Sequence, residues 1–314
     1  MDYRDARVIK MNIEEIKKFS KEVDSRFYFD HDLKKSNWFN IGGKTKVYFK
    51  PDTLADLVSF LKKFGKKEKI HILGAGSNTL ISDNLYDGIV IKLGKNFSNI
   101  SLLSNNIIVA GSSCLDAKLS EFAQDNEIGG LEFLACIPGT VGGGLKMNAG
   151  CFGKEFKDIL ISIQAIDRIG NVITLPANKV LFEYRNNNLP NDLIFLSASV
   201  KGEKKDKDAI KKKILELKKK KDSTQPTKIK TSGSTFKNPI NQTNKKVWEL
   251  IKESVPLNTT FGDACISEKH CNFFVNKNNA SFKDMIKLIE FVRENVEKKT
   301  GIKLEKEIKI LGEI

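Results

Sequence analysis

Apolar residues recur along the chain with two periods. Leu54, Leu57, Val58 and Leu61 fall at i, i+3, i+4 and i+7 behind an Asp/Thr cap, which predicts an amphipathic helix from residue 52 onward. A second helix is predicted over Leu115, Leu119, Phe122 and Ala123 with Ser113 as its cap. A third opens at Ser281 and carries Asp284, Met285, Leu288, Ile289, Val292 and Val296. Short β-branched runs predict strands at 70–73, 89–93 and 107–110, and a pair at 160–169 and 172–175 joined by the turn Gly170-Asn171. The tail 302–311 alternates apolar and charged residues and reads as a strand. The first two thirds is thus mixed α+β, with glycine loops at strand ends.

A shift in composition near Lys201 divides the chain. Residues 202–222 are rich in lysine, yet Ile210, Ile214 and Leu217 keep one apolar stripe, which predicts a solvated helix opening a second domain. A length of 314 residues agrees with two domains. With 40% hydrophobic and 29% charged residues and only 7 prolines, the sequence is that of a folded protein and excludes collagen-like or wholly disordered chains.

The formal charge of +14 suggests a polyanionic partner, but only six of the 53 cations are arginines (Arg4, Arg7, Arg26, Arg168, Arg185, Arg293). Lysine spread over the whole chain raises solubility without building a site, so nucleic-acid binding is not the expected function. The five cysteines (Cys114, Cys136, Cys151, Cys265, Cys271) form no C-x-x-C pair, which predicts free thiols and neither a disulfide framework nor a zinc site. The first seven residues have no apolar run behind their charges, and no stretch approaches the ~20 apolar residues of a membrane span. A cytoplasmic protein without membrane insertion is expected.

Two glycine-rich segments carry the first candidate chemistry, Gly74-Ala-Gly-Ser-Asn-Thr79 and Pro138-Gly-Thr-Val-Gly-Gly-Gly-Leu-Lys-Met-Asn-Ala-Gly150. Glycine lets the main chain turn through positive φ and approach a ligand, so that successive N–H groups converge on a phosphate. No Gly-Lys-Ser/Thr follows either segment, and Gly74-x-Gly76-x-x ends in Thr79, so neither a P-loop nor a Rossmann fingerprint is present.

Further motifs appear in order. They are Asn37-Trp-Phe-Asn-Ile-Gly-Gly43, Gly129-Gly-Leu-Glu-Phe-Leu-Ala-Cys-Ile-Pro-Gly-Thr-Val-Gly-Gly143, Met147-Asn-Ala-Gly150, Glu183-Tyr-Arg185, Gly233-Ser-Thr-Phe-Lys-Asn-Pro239, Ser267-Glu-Lys-His270 and Leu304-Glu-Lys-Glu-Ile308. Together with Gly74–Asn78 they resemble the UDP-N-acetylenolpyruvoylglucosamine reductase family from about Asn37 to Gly312. The resemblance implies an α+β fold: a bilobal FAD-binding domain of the p-cresol methylhydroxylase/vanillyl-alcohol oxidase type, followed by a C-terminal α+β substrate-binding domain. On this chain that implies an extension at 1–25, lobes at about 26–94 and 95–205, and a substrate domain at 206–314 whose tail returns to the active site.

The resemblance also implies NADPH-dependent reduction of an enolpyruvyl nucleotide sugar through tightly but non-covalently bound FAD, in cell-wall peptidoglycan synthesis. The implied cofactor contacts are Gly42, Gly74, Ala75, Gly76, Ser77, Asn78, Ile137, Pro138, Gly139, Thr140, Gly142, Gly143 and Asn148. Tyr184, Lys237, Asn238 and His270 are the implied substrate contacts. The implied partners are the nucleotide-sugar substrate and NADPH, with no metal.

Hydride delivery to the enolpyruvyl β-carbon leaves an enolate, so the site needs a cation or acid at the carboxylate and a proton donor at the α-carbon. The planar fork of Arg185 suits a carboxylate, and the resemblance makes it an active residue. A serine hydroxyl is a weak acid that must be placed close to act; among Ser232, Ser234 and Thr235 only the resemblance selects Ser234. Glu305 and Glu307 share a face if the tail is a strand, and periodicity does not separate them. The family pattern puts the acidic residue at Glu307.

Some positions depart from the family pattern. Asn186-Asn-Asn-Leu189 follows Tyr184-Arg185 in place of the usual Ser and Phe, and Phe261-Gly-Asp-Ala264 has fewer glycines. The short connection to Ile194 implies that the tyrosine-bearing substrate loop of one branch is absent. Other readings are an oxidase of the same flavin fold acting on an alcohol or sugar, disfavoured because Gly74–Asn78 contains no His or Cys to tether flavin, and a basic nucleotide- or RNA-binding module built on the lysine helix at 202–222.

Overall fold

The computed structural model describes residues 11–313. The first seven residues, expected to carry no apolar run, and the start of the expected extension at 1–25 lie outside the described residues. The predicted α+β arrangement of two lobes and a C-terminal unit is observed.

The first lobe is a four-stranded sheet in the order Arg26–Asp32, Lys44–Lys50, Tyr86–Ile91, Ile70–Ile72, antiparallel at the first junction and parallel at the other two. Phe27 and Phe49 are cross-strand partners whose rings stack at 4.2 Å. The helix Leu54–Phe64 is capped by Thr53, which accepts from the Asp56 N–H, and it buries Leu57, Phe60, Leu61 and Phe64. Ile16 and Phe19 of the helix Ile13–Phe19 close the same core.

The second lobe is an antiparallel sheet in the order Val172–Pro176, Leu160–Ile166, Ile194–Lys201, Ile107–Gly111, Ile100–Leu103. Ser113 does not cap the helix Asp116–Asp125. A bridge between Leu115 and Thr140 keeps the backbone extended to residue 115, and the Ser113 hydroxyl instead donates to the Leu93 carbonyl at 3.1 Å. Part of the second glycine segment is helical, Val141–Lys146, with Thr140 as its cap. The lysine-rich helix Lys207–Thr224 buries Ile210, Ile214 and Leu217. It packs on Asp116–Asp125 and the 3₁₀ turn Glu132–Cys136, so its apolar stripe joins the second lobe rather than opening the C-terminal unit.

The C-terminal unit sets the helices Val247–Ser254 and Phe282–Thr300 against a small sheet, Thr260–Phe261, Ala264–Ile266 and Phe274–Asn276. Ser281 and Asp284 form a reciprocal capping box, and Gly301 ends the helix in the left-handed region at φ 74°. Its core includes Phe236, Leu250, Phe274, Leu288 and Val292 and extends to Phe39, Ile41 and Leu80 near the first lobe.

The tail is strand only over Lys309–Leu311, which pairs in parallel with Thr79–Ile81. That return brings the last segment directly behind the Gly74–Asn78 loop. Among the described residues no helix is long and apolar enough to cross a membrane.

Candidate active site

The two glycine segments come from different lobes and meet. A Cβ on Gly74 would lie 2.8 Å from Thr140 Oγ1, and one on Gly139 would lie 3.7 Å from Ser77 Oγ. Gly76 is required by conformation and by space: its φ is 68°, and a Cβ would stand 2.2 Å from the Ser36 carbonyl oxygen. Gly74, Ala75, Ser77, Asn78, Ile137, Gly139 and Gly142 are half-buried, while Pro138 and Gly143 are exposed. Gly42 lies against the Ile81 side chain. Side-chain-free backbone from two lobes, with no room for a Cβ at Gly74 or Gly76, is a cradle whose N–H groups fit the phosphates of an extended dinucleotide such as FAD. The expected loop residues therefore come together, with Thr140 itself buried as the helix cap.

Asn148 departs from this set. It is fully buried with φ 39°, and its amide donates to Glu155 Oε2 at 3.0 Å and to the Glu183 carbonyl at 3.1 Å, while its oxygen accepts the Lys157 N–H at 3.1 Å. All three bonds are made to groups of the protein itself.

Arg185 sits in the left-handed region at φ 59°, on a turn in which Glu183 and Asn186 exchange backbone hydrogen bonds. Its Nε donates to Glu307 Oε1 at 2.9 Å and its Nη2 to the Gly150 carbonyl at 3.2 Å, with Nη1 3.8 Å from Glu155 Oε1. The guanidinium stacks over the Tyr184 ring at 4.8 Å. Burial works against the Arg185 charge, but Glu307 prevails and its pKa is raised. Burial pushes the Glu307 carboxyl above the ordinary range, against the opposing pull of Arg185, Lys237 and Lys309.

Glu307 is held by its backbone as well. Its N–H donates to the Thr235 carbonyl at 2.8 Å, and its carbonyl accepts from Asn78 Nδ2 at 3.1 Å. Residue 235 thus ties Glu307 to the strand-like segment bearing Ser234, and Asn78 ties it to the first glycine loop. Ser234 is half-buried and bridges Phe273, while Phe236 bridges Lys306. Asn272, buried in an apolar run, holds this segment by accepting the Phe236 N–H at 3.0 Å and donating to its carbonyl at 2.9 Å.

The structure separates the two tail carboxylates. Residues 301–308 are not a strand beyond one bridge at Lys306, so Glu305 and Glu307 do not share an environment. The Glu305 side chain is 74% exposed and pairs with Lys237 at 3.2 Å, whereas that of Glu307 is 16% exposed.

Tyr184 and Asn238 meet across the boundary between second lobe and C-terminal unit, with Asn238 Nδ2 3.4 Å from the Tyr184 hydroxyl. His270 stays nearer the protein: its Nδ1 accepts the Asn272 N–H at 3.3 Å, its ring packs on Phe273 at 4.8 Å, and burial lowers its pKa. In the departing run, Asn187 is fully buried and donates to the Leu145 carbonyl at 3.1 Å, which fastens the turn beyond Arg185.

Sequence reasoning missed Glu155, the Gly150 carbonyl and Asn272. Only Asn272 carried a signal, a polar residue inside the apolar run Cys271–Val275. The five cysteines are free, and the Cys151 thiol, beside the second glycine segment, donates to the Phe133 carbonyl at 3.3 Å. Among the described residues no group of three His, Cys, Asp or Glu is arranged to hold a metal.

Comparison with known proteins accords with this geometry. Residues 45–176 match the FAD binding domain, and residues 225–311 match the UDP-N-acetylenolpyruvoylglucosamine reductase C-terminal domain. The chain is 75% identical over 301 residues to UDP-N-acetylenolpyruvoylglucosamine reductase of Pelagibacter ubique (strain HTCC1062), covering 96% of this chain and 100% of the relative. It is 47% identical over 290 residues to the enzyme of the same name from Rickettsia typhi, covering 92% and 97%. The crystal structure of UDP-N-acetylenolpyruvylglucosamine reductase from Thermus caldophilus superposes with a TM-score of 0.78 at 28% identity, over 92% of this chain and 99% of that one.

Proposed function

The chain belongs to the UDP-N-acetylenolpyruvoylglucosamine reductase family, and on that premise we propose that this FAD-dependent oxidoreductase uses NADPH to reduce UDP-N-acetylglucosamine enolpyruvate to UDP-N-acetylmuramate for peptidoglycan synthesis in the cytoplasm. The observation that carries the reading is the convergence of Arg185, Glu307 and the Ser234 segment on the paired glycine loops, from three separate parts of the chain.

Gly74–Asn78 and Ile137–Gly143 would hold FAD, which would supply the hydride chemistry linking NADPH to the enolpyruvyl β-carbon. NADPH leaves before the nucleotide sugar enters the shared pocket. The remaining chemistry falls to side chains of this chain. Arg185 directs N–H donors at the substrate carboxylate, where charge builds as the enolate forms. In the free protein Glu307 pairs with Arg185; burial pulls its carboxyl toward the protonated form, and once the substrate carboxylate engages the guanidinium, a Glu307 that has taken up a proton donates a hydrogen bond to the enolate, where an ionised one repels it. Ser234 delivers the proton to the α-carbon. Tyr184, Lys237 and Asn238 line the approach of the nucleotide sugar, and His270 stands behind them.

Anaerobic spectroscopy tests the whole reading. Addition of NADPH bleaches the flavin absorbance, and subsequent addition of the enolpyruvyl nucleotide restores it. Protein that remains colourless after reconstitution with FAD, or reduced flavin that the nucleotide leaves unchanged, overturns it.

A further inference from the structure

Two carboxylates flank the Arg185 guanidinium, and the proposed chemistry uses only one. The second is Glu155, whose Oε1 lies 3.8 Å from Nη1, beyond hydrogen-bond length but close enough for strong attraction. Its other oxygen is fixed by Asn148 Nδ2 and by Lys157 Nζ, each at 3.0 Å. The same Asn148 amide holds the Glu183 carbonyl, two residues before Arg185. One buried side chain therefore joins the turn that carries the guanidinium to the hairpin, Gly150–Cys151 with Lys154–Glu155, that carries its second counter-charge. The Gly150 carbonyl, taking Nη2 at 3.2 Å, belongs to that hairpin as well.

Arginine has five N–H donors in a rigid fork. Glu307 uses Nε and Gly150 uses one hydrogen on Nη2, so the Nη1 hydrogens face Glu155 without being consumed by it. With Glu307 as sole counter-charge, the fork would turn into a bidentate pair and withdraw its outer donors. We infer that Asn148 and Glu155 are positioning residues that hold the Arg185 guanidinium so that its outer N–H groups stay available to the substrate carboxylate. This rests on the substrate class proposed above.

Two substitutions test it in the FAD-loaded protein. Glu155→Gln removes the charge at nearly constant shape, and Asn148→Gly removes the amide while suiting the left-handed backbone. Both variants bind FAD as tightly as the unaltered protein by fluorescence titration and accept hydride from NADPH at its rate. Both are reoxidised by the enolpyruvyl nucleotide about ten- to a hundredfold more slowly, the scale of an ångström-sized misplacement. Weakened FAD binding in Asn148→Gly would make that residue a cofactor contact and overturn the proposal. Equal slowing of both half-reactions, or no slowing of either, overturns it too. Failure of the unaltered protein to be reoxidised overturns the substrate assignment, and this proposal with it, and is recognised by occurring without any substitution.

Discussion

Arg185 Nε lies 2.9 Å from Glu307 Oε1, although 122 residues separate the two in the chain. The pair is mostly buried, with side chains 18% and 16% exposed, so removing either partner strands a charge in a poorly solvated place. It joins the second lobe to the chain's returning tail.

For Ser234, the expected outcome of Ser234→Ala is a protein that NADPH reduces at the normal rate but that the enolpyruvyl nucleotide reoxidises several orders of magnitude more slowly, roughly the 10²–10⁴-fold of a lost proton donor. Stopped-flow absorbance separates the two half-reactions. Equal damage to both would make Ser234 structural.

Glu307 and Glu305 are distinguished by their surroundings. Glu307→Gln should suppress reoxidation strongly, while Glu305→Gln, which loses only an exposed pair with Lys237, should change it less than about threefold. Because burial raises the Glu307 pKa, the reoxidation rate should fall as pH rises through that raised value. A pH profile recorded with both variants checks the assignment, and strong loss in Glu305→Gln alone would reverse it.

Asp116 lies under the second glycine segment, fully buried, with neither carboxyl oxygen hydrogen-bonded. Burial holds its pKa well above the carboxylate range. The folded state then keeps a proton that the unfolded chain gives up near pH 4, so this group erodes stability as pH rises between the two pKa values. Asp116→Asn should raise the melting temperature at pH 7, with the gain vanishing toward pH 4. Thermal melts across that range measure it, and a gain independent of pH would discount the titration.

Gly76→Ala places a Cβ 2.2 Å from the Ser36 carbonyl oxygen at a φ that side chains resist. The conformational part alone costs roughly 1–2 kcal/mol, and the clash displaces the loop. Weak or absent flavin retention on gel filtration is expected; full retention would show that the loop yields without loss of the cradle.

Much of this arrangement was legible in the residues themselves. The helices Leu54–Phe64 and Phe282–Thr300 follow apolar period and caps closely, because each packs one face on a core. The helix near Ser113 began later than its cap suggested, because a tertiary bridge at Leu115 overrode local preference. Glu305 and Glu307 looked equivalent for a related reason: alternation assumes a regular strand, and here one isolated bridge from Lys306 to Phe236 precedes a separate ladder of Lys309–Leu311 with Thr79–Ile81. Glu155 was invisible, since nothing local marks a carboxylate whose importance comes from Asn148 and Arg185 folding back on it.

The parallel strand Lys309–Leu311 has a temporal consequence during synthesis. Both glycine loops and Arg185 leave the ribosome long before Glu307, so the first loop lacks the hydrogen bonds that Asn78 makes with Glu307 and Lys309 until the tail is synthesised. The contact between Arg185 and Glu307 therefore forms only after the segment 305–311 has been made.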